Sequence, residues 1–374
     1  MQSTVLTPAE RTRRARVLIS GEAPTPRLRR FAEGIERELL QHGHSRAGES
    51  GQPTLVLNVI DAARPRPYRR SSQGTFVVSV AEVTERPDDV LRAAYPVLVR
   101  SLSNLLLYLA PGGDGEVDVH FVTLEQGAYA IPREATPEDL YREIYRRLAP
   151  LAASRLVINN HFIPDLEPSL WNGNEHTRAL AEGGRKLDAL DLLPAPFPLA
   201  QILGEKDMAH VKRLFGLGGL SYGNLSVRED ETRFWMSARG VDKGKLSEIG
   251  RDMLLITDYD RAQDAMLISV PPEVEPRAAS VDSIEHWTLY REHPEIGAII
   301  HVHAWMDGVS STRVNYPCGT YELAREVAAL AGAAPDPSSC VVGLKNHGLT
   351  ITGRSLEEIF ERIDGRILPQ VPME

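Results

Sequence analysis

Hydrophobic positions in the first half of the chain follow two periods, one helical and one extended. Leucine, phenylalanine and isoleucine recur at helical spacing from Pro26 to Gln41 and predict an amphipathic helix there. A longer helix is predicted over 87–109, before a Pro-Gly-Gly stop signal, and a third begins after the N-cap residue Thr136. Runs rich in β-branched residues predict strands at 16–20, 54–60, 75–80, 117–123 and 128–131. This alternation predicts an α/β domain.

The second half of the chain shows the same mixture after a proline-rich stretch. The stretch 191–198 is typical of a stiff linker, so we place the boundary between an N-terminal domain, 1–195, and a C-terminal domain, 196–374. Helices are predicted at 205–216, 282–293, 321–331 and 355–363. Strands are predicted at the end of 218–228 and at 234–240, 252–257, 295–303 and 339–344. The whole chain is therefore expected to be α/β.

Two histidines stand on the most apolar of these strands. Val302 alone separates His301 from His303, and residues two apart on a strand point to the same face. Imidazoles held side by side on a rigid strand suit a borderline-soft divalent metal such as zinc. A third candidate ligand, His347, follows in an Asn-His-Gly sequence. An isolated His-x-His is often a pair of ordinary histidines, so the surrounding motifs decide whether this is a metal site.

Length, composition and charge restrict the class of protein. A chain of 374 residues is long enough for two domains, and 42% hydrophobic with 25% charged residues is typical of a soluble globular protein. A net charge of −9 argues against a general nucleic-acid binder. No apolar run reaches the length of a membrane span and the N-terminus lacks a secretory pattern, so we expect a cytoplasmic protein without a membrane partner. Two cysteines, Cys318 and Cys340, do not make a disulfide framework.

Five motifs of the second half occur in an order that resembles the class II aldolase/adducin superfamily. They are Gly223-Asn-Leu-Ser-Val-Arg228, the Arg239-Gly240 turn, a helix with an acid and a histidine, Ile299-Ile-His-Val-His303, and Asn346-His-Gly-Leu-Thr350 followed by Gly353-Arg-Ser-Leu-Glu-Glu358. Each motif is weak alone, and their common order makes the resemblance specific. It covers residues 200–372. The N-terminal half contains neither a phosphate loop nor a dinucleotide fingerprint, and its role stays open.

The resemblance implies a fold, a cofactor and an assembly. It implies an α/β/α layered domain around a mostly antiparallel sheet, commonly a homotetramer with sites at subunit contacts. It also implies that His301, His303 and His347 hold a divalent metal ion, with zinc as the first expectation and manganese or cobalt as alternatives. Three neutral imidazoles with an open fourth position are typical of a catalytic rather than a structural zinc site.

The resemblance also places an acid on the helix before the histidine strand. His286, Tyr290 and His301 set the register, and the acid position then falls on Asp282, where the family usually has glutamate. The competing acid is Glu285. We predict that it faces another side of the helix, because each helical residue turns the side-chain direction by about 100°. Asp282 is therefore the favoured general acid or base.

The substrate pocket implied by the family is retained only in part. The positions that match are Gly223, Asn224, Ser226, Gly240 and Ser280. Arg239 replaces a threonine and Val281 replaces a serine, which weakens the case for a phosphate-bearing substrate. A guanidinium binds planar groups in bidentate geometry, so Arg239 favours a carboxylate, with a surface salt bridge as its alternative role. Lys243 and Lys245 are predicted to be solvated.

The resemblance leads to an expected activity and to alternatives. We expect a metal-dependent lyase of the aldolase type, which makes or breaks a C–C bond next to a carbonyl of a sugar-derived or hydroxy-oxo acid substrate. Family aldolases also use a tyrosine from a neighbouring subunit as an acid, and Tyr316 is the candidate here, with packing at a subunit contact as its alternative role. A decarboxylase, epimerase or dehydratase on the same site, or a non-catalytic adducin-like interaction module, are the other interpretations.

Overall fold

The computed structural model describes residues 14–48, 51–71, 74–112, 116–124, 127–131, 136–192, 199–215 and 223–372. Contacts divide the described chain into two compact units, the first from 1–154 with 199–210 and the second from 155–198 with 211–374. The boundary that we predicted near 195 does not follow this division, because Asn159–Ile163 is a strand of the second unit's sheet. Residues 193–198 of the predicted linker lie outside the described residues.

The described elements are numbered here in chain order. The strands are β1 (Arg16–Ser20), β2 (Ser45–Arg46), β3 (Leu55–Val59), β4 (Phe76–Glu82), β5 (Leu105–Pro111), β6 (Val117–Thr123), β7 (Gly127–Ala130), β8 (Asn159–Ile163), β9 (Gly223–Arg228), β10 (Phe234–Ser237), β11 (Met253–Asp260), β12 (Ala265–Ser269), β13 (Ala298–Val302), β14 (Ser310–Ser311), β15 (Val341–Leu344) and β16 (Gly348–Gly353). The helices are α1 (Pro26–Gln41), α2 (Val90–Ser101), α3 (Pro137–Ala153), α4 (Glu175–Ala189), α5 (Leu199–Ile202), α6 (Glu205–Phe215), α7 (Ser283–Glu292), α8 (Tyr321–Ala333) and α9 (Leu356–Ile363).

Among the described residues, the first unit is built on a seven-stranded sheet of order β2-β1-β3-β4-β5-β6-β7. Neighbouring strands from β2 to β5 run parallel, whereas β6 pairs antiparallel with both β5 and β7. Helix α1 has the predicted bounds. Thr25 caps it, since its side chain accepts a hydrogen bond from the Leu28 amide at 3.1 Å. The N-terminal part of the chain thus carries its own sheet.

The long helix predicted over 87–109 is wrong in its second half. Helix α2 ends at Ser101, Leu102 adopts a left-handed φ of 51°, and the next residues form β5. Strand β5 lies between β4 and β6 and is buried from Leu105 to Ala110. Leucine favours a helix locally, but burial in the interior of a sheet outweighs that weak local preference.

The second unit is built on a nine-stranded sheet, among the described residues, of order β14-β15-β16-β13-β9-β10-β11-β12-β8. The outermost pair at each edge is parallel, and the pairs between them are antiparallel. The chain is therefore mixed α/β, as predicted. Within the described parts of the chain, no helix is long and apolar enough to cross a membrane.

Successive residues of β9 point to opposite faces of this sheet. Leu225 lies against α4, where a Cβ atom added to Gly183 would come within 3.0 Å of its Cδ1 atom. Ser226 points the other way, and its hydroxyl lies 2.7 Å from Nδ1 of His286 on α7. One face of the central strands therefore carries polar groups beneath α7.

A row of register partners crosses this polar face. His301 of β13 pairs with Asn224 of β9 on one side and with Thr350 of β16 on the other. Paired residues of antiparallel strands share a face, and their Cβ atoms are about 5 Å apart. The fold thereby places a candidate metal ligand between an amide and a hydroxyl side chain.

Candidate metal centre

Three imidazoles come together where β13 ends and β16 begins. His301 lies on β13, His303 follows that strand, and His347 stands in the turn before β16. One ring nitrogen of each lies within 4.8 Å of the others. The ring centroids of His301 and His303 are 5.1 Å apart, and those of His301 and His347 are 4.8 Å apart. The three residues that the sequence singled out as ligands therefore form one cluster.

The turn between β15 and β16 explains why the third histidine is flanked by asparagine and glycine. Asn346 has a left-handed φ of 55°, which asparagine adopts more readily than most residues. The His347 amide donates to the Leu344 carbonyl at 3.0 Å and closes the turn. A Cβ atom on Gly348 would lie 2.2 Å from the carbonyl oxygen of Val302. A larger residue there would separate His347 from the other two imidazoles.

The protonation of the cluster suits metal binding. Nδ1 of His301 lies 3.1 Å from the Leu349 carbonyl oxygen, which can only accept a hydrogen bond, so this nitrogen carries the proton. Its Nε2 is buried and has no partner among the described residues. Burial, followed by the neighbouring histidines, lowers the pKa of His301 and of His347 well below 6.5. Neutral imidazoles with a buried, unshared nitrogen fit the divalent cation that the family implies.

A cysteine that sequence reasoning did not select lies beside this cluster. Sγ of Cys318 is 3.3 Å from Nε2 and 3.6 Å from Nδ1 of His347, and the cysteine is half-buried. No spacing rule connects residue 318 with residue 347, since the loop before α8 brings them together. Only the three-dimensional fold reveals this neighbour.

Asp282 lies directly before the first turn of α7 but does not cap it with its side chain. Its Oδ2 instead accepts hydrogen bonds from Asn224 Nδ2 at 2.7 Å and from Ser280 Oγ at 3.2 Å. Asn224 Nδ2 also lies 3.1 Å from Ser280 Oγ. The structure therefore joins the predicted acid to two of the predicted substrate-binding residues in one buried polar group.

Glu285 does not face away from the site region, contrary to our prediction. It is 2% exposed, its Oε1 accepts a hydrogen bond from the Thr350 hydroxyl, and its buried Oε2 has no partner among the described residues. Burial, with the charge of Asp282 as the second cause, raises the pKa of Glu285 to about 8. The angular offset from Asp282 does not turn Glu285 away, because α7 is buried on nearly every side from Ser283 to Tyr290.

Ser226 belongs to a hydrogen-bonded framework beneath α7. Its hydroxyl lies 2.7 Å from His286 Nδ1 and 2.8 Å from the Tyr290 hydroxyl, and the residue is fully buried. Burial lowers the pKa of His286 to about 4, so its ring is neutral. The structure thus buries this predicted substrate-binding serine beneath α7, the helix that follows Asp282.

Both predicted glycines adopt backbone angles that favour glycine. Gly223 has a φ of +148°, and a Cβ atom there would lie 2.1 Å from the carbonyl oxygen of His301. Gly240 has a φ of +68° in the turn after β10. The first of these glycines permits the close approach of β9 to the histidine strand. The preceding residues 216–222 of the glycine-rich sequence lie outside the described residues.

The three cations near Gly240 differ in their exposure. Arg239 is exposed, and its backbone amide donates to the Ala278 carbonyl at 2.9 Å. Lys243, which we predicted to be solvated, is 2% exposed. The Lys245 side chain is 82% exposed and pairs with Asp242 at 2.9 Å. Sequence distance from the glycine turn could not distinguish the buried lysine from the exposed one.

Tyr316 is half-buried, and its phenol forms a hydrogen bond with Glu326 of the same chain. Burial, followed by the charge of Glu326, raises the pKa of Tyr316 above its ordinary value of 10.0. The backbone amide of Arg313 donates to the same carboxylate at 2.8 Å. Within one chain, therefore, the structure gives Tyr316 a partner on α8.

Comparison with known proteins confirms the family resemblance of the C-terminal half. Residues 206–364 match the family described as class II aldolase and adducin N-terminal domain. The matched range contains the histidine cluster, Asp282, Glu285 and Lys243. It leaves most of the first unit outside the family domain.

Curated relatives and solved structures also match part of the chain. Methylthioribulose-1-phosphate dehydratase of Klebsiella pneumoniae is 24% identical over an alignment of 174 residues, and the match covers 38% of this chain and 79% of that protein. The enzyme of the same name from Leptospira biflexa is 30% identical over 107 residues, 28% of this chain and 45% of that protein. A solved structure of L-fuculose 1-phosphate aldolase superposes with a TM-score of 0.35 at 18% identity, over 51% of this chain and 81% of that one.

The family match and the curated relatives agree with the motifs that the sequence carries in order. The histidine cluster, the acid before α7 and the glycine turn all lie inside the matched range. Residues 206–364 therefore belong to the class II aldolase and adducin family, and the chain is a class II aldolase-like, metal-dependent lyase.

Proposed function

We propose that this lyase removes water from a hydroxy-carbonyl substrate of the phosphorylated-sugar class. The observation that supports this proposal is the pair of carboxyl groups, Asp282 and Glu285, at the start of α7. Oδ2 of Asp282 accepts two hydrogen bonds, as a carboxylate does, whereas Glu285 has a pKa raised to about 8 and keeps its proton at neutral pH. Two neighbouring acids in opposite protonation states are suited to act as base and acid.

Elimination of water requires both of these roles. A divalent cation held by His301, His303 and His347 would supply a Lewis acid for the carbonyl oxygen next to the reacting carbon. In our proposal, Asp282 takes the proton from the carbon beside the carbonyl. The hydroxyl group on the following carbon leaves with the proton of Glu285, a carbon–carbon double bond forms, and one water is released. Asp282 ends protonated and Glu285 ends ionised, so one proton transfer restores the starting state.

The named relatives support dehydration over C–C cleavage. Both curated relatives above carry the name of a dehydratase of a phosphorylated sugar. We extend from that name to this chain only the reaction class and the phosphorylated, carbonyl-bearing type of substrate. Most of the first unit lies outside the family match, so we assign it no part in the reaction.

Retro-aldol cleavage is the second candidate. It requires one carboxylate near a Lewis acid, and Asp282 with the three histidines satisfies that requirement without Glu285. In this reaction Asp282 would take the proton from a substrate hydroxyl, the C–C bond would break to release one carbonyl fragment, and the same proton would return to the carbanion of the other fragment, which leaves as a second carbonyl compound. An adducin-like module without catalysis is disfavoured by the complete histidine cluster with its buried, unshared Nε2 atom on His301.

Product analysis distinguishes these reactions. The protein would be purified, loaded with zinc and incubated with hydroxy-ketones that differ in the presence of a phosphate group. Our proposal expects a product that has lost the mass of one water, and the His301→Ala variant should form none. Two carbon fragments would instead establish an aldolase. A protein that binds no divalent metal and converts no substrate would support the interaction-module interpretation.

Metal identity, location and assembly belong to the same proposal. We propose zinc, because three imidazoles form a typical catalytic zinc set, with manganese and cobalt as the alternatives. We also propose a cytoplasmic homotetramer by analogy with the family. Elemental analysis of the protein purified without added metal tests the first assignment, and light scattering coupled to size-exclusion chromatography tests the assembly.

A further inference from the structure

Thr350 connects the carboxyl group of Glu285 to the strand beside the histidine cluster. The threonine is fully buried on β16, and its hydroxyl donates a hydrogen bond to Oε1 of Glu285 on α7. In the register of the sheet, Thr350 stands directly opposite His301 on β13. Paired residues of antiparallel strands have Cβ atoms about 5 Å apart. The contact therefore holds the carboxyl group one side chain away from a candidate metal ligand.

The same segment of β16 orients that metal ligand. The Leu349 carbonyl oxygen lies 3.1 Å from Nδ1 of His301, and the next residue along the strand supplies the hydroxyl that binds Glu285. Strand β16 is itself paired on both sides, with β13 and with β15. A strand held in this way is a rigid support for a site. Two consecutive residues thus fix the direction of an imidazole and of a carboxyl group relative to each other.

The two carboxyl oxygens of Glu285 have different surroundings. Oε1 accepts the hydrogen bond from Thr350, whereas Oε2 is buried and has no partner among the described residues. Burial, with the charge of Asp282 as the second cause, raises the pKa of Glu285 to about 8, so the group carries a proton at neutral pH. An oxygen that accepts a hydrogen bond suits the carbonyl oxygen of a neutral carboxyl group, which leaves the proton for Oε2.

A proton on Oε2 has both a cost and a use. A buried donor that makes no hydrogen bond destabilises the folded protein. A substrate hydroxyl at this position would accept the hydrogen bond and offset that cost. The same hydroxyl is the group that leaves in the proposed dehydration. The hydroxyl of Thr350 would thereby determine which oxygen of Glu285 acts as the acid.

We propose that Thr350 is a positioning residue, which keeps the acidic proton of Glu285 on Oε2 and directs it toward the leaving hydroxyl group. In the transfer the Oε2–H bond breaks and a new O–H bond forms on the departing oxygen. The electron pair of the C–O bond stays with that oxygen, and water is released. This inference rests on the proposed function, because it assigns a geometry to the proposed acid.

The test compares Thr350→Val, which removes the hydroxyl and keeps the shape of the side chain, with Thr350→Ser and Thr352→Val. Thr352 lies two residues later on β16, is also buried, and donates to the Pro337 carbonyl at 2.5 Å. Its valine variant therefore removes a similar hydroxyl that does not bind Glu285. All variants would be full-length, zinc-loaded proteins, and Thr350→Ala replaces Thr350→Val should the latter not fold.

Infrared difference spectra against Glu285→Gln report the carboxyl group without any turnover. At pH 7 the wild type should show the C=O stretch of a protonated carboxyl group, lowered by the hydrogen bond to its carbonyl oxygen. The stretch should move to higher frequency in Thr350→Val, return in Thr350→Ser and stay unmoved in Thr352→Val. An unmoved band in Thr350→Val would overturn the proposal. A wild type without this band would have an ionised Glu285, which would overturn the proposed acid as well.

Kinetics supply the second readout. Acid–base catalysis contributes about 10²–10⁴-fold, so Thr350→Val should lower kcat about tenfold or more and change KM little. The Thr350 hydrogen bond opposes the burial that raises the pKa of Glu285, so its loss should move the falling limb of the kcat profile to higher pH. Thr350→Ser should recover most of both quantities.

The two readouts separate this inference from the proposed function. Equal kcat and an equal falling limb in Thr350→Val and Thr352→Val would overturn the role of Thr350 in a protein that dehydrates its substrate. A shifted infrared band in a protein that dehydrates no tested substrate would support the position of the proton on Oε2 and contradict the dehydration.

Discussion

The side-chain amide of Asn224 lies 2.7 Å from Oδ2 of Asp282 and connects β9 to the residue that precedes α7. Ser280 donates to the same oxygen at 3.2 Å. Two hydrogen bonds donated to one oxygen suit the carboxylate that a base requires. Asn224 of the Gly-Asn-Leu-Ser motif therefore orients Asp282 whatever the identity of the substrate.

Replacing this donor with an acceptor should impair the base. In Asn224→Asp, two carboxyl groups would face each other at hydrogen-bond distance and share one proton. We expect kcat at pH 7 to fall at least about tenfold, and the rising limb of the kcat profile to move to higher pH. The control is Asn159→Asp, whose exposed side chain binds the Gln263 carbonyl far from α7 in sequence. An unchanged pH profile in Asn224→Asp would show that Asp282 is not the base.

Removing one imidazole should abolish metal binding. His301 offers a buried Nε2 without a described partner, and its ring is oriented by the Leu349 carbonyl at 3.1 Å. Loss of residues that merely orient a ligand costs about 10–100-fold in metal affinity, so His301→Ala should lose at least that much. His161→Ala is the matched control, because His161 lies on β8 outside the cluster. Competition with a chelator measures the zinc affinity of each variant. Wild-type affinity in both variants would contradict the assignment of His301 as a metal ligand.

Glu285 makes stability depend on pH in a predictable direction. Its pKa in the folded protein is raised from 4.5 to about 8, so between these values the unfolded chain releases a proton that the folded chain keeps. Stability attributable to this group is present below pH 4.5 and is lost as the pH rises through 8. Glu285→Gln has no proton to release, and at pH 7 it should be more stable than the wild type by about 3 kcal/mol.

The measurement is urea unfolding of chelator-treated protein at pH 5, 7 and 8. The difference in midpoint between Glu285→Gln and the wild type should widen as the pH rises. Glu357→Gln supplies the control, since Glu357 is exposed in the first turn of α9. A difference that stays constant with pH would mean that Glu285 is ionised in the folded protein. It could not then serve as the proton donor of the proposed dehydration.

The histidine cluster is the part of the site that sequence patterns anticipate best. His301 and His303 follow the strand period of two, and the Asn-His-Gly turn has a physical cause in the left-handed φ of Asn346 and the close approach of Gly348 to β13. Such local rules depend on neighbouring residues only. They were sufficient for α1 and for the histidine strand, and they carried the family resemblance.

What the sequence could not predict depends on contacts between distant residues. Leu105 and its neighbours have helix-forming side chains, and only the sheet on both sides makes them β5. Glu285 and Lys243 are charged residues that average preferences place in water. Both are buried because α7 is enclosed on nearly all sides and because the Lys243 turn packs on Gly184 of α4. Buried charges of this kind are exceptions to the rule that charged residues lie at the surface, so a pattern of hydrophobic and polar positions cannot predict them.

The contact between Gly223 and His301 should control both stability and metal binding. Gly223 has a φ of +148°, and a Cβ atom there would lie 2.1 Å from the His301 carbonyl oxygen. Gly223→Ala must therefore separate β9 from β13, which moves Asn224 away from its place beside His301 and weakens the cluster. We expect a loss of roughly 3 kcal/mol or more in unfolding free energy, together with weaker zinc binding.

Gly308→Ala separates steric contact from backbone strain in this experiment. Gly308 also has a positive φ, +76°, but a Cβ atom there would meet nothing within 4 Å. Its alanine variant should lose only about 1 kcal/mol, the usual cost of a left-handed residue, and should bind zinc as the wild type does. Urea unfolding and zinc titration of both variants measure the difference. The prediction is wrong if Gly223→Ala loses no more unfolding free energy and no more zinc affinity than Gly308→Ala. That result would show that the close approach of β9 to the histidine strand is not required, and that position 223 needs glycine only for its positive φ.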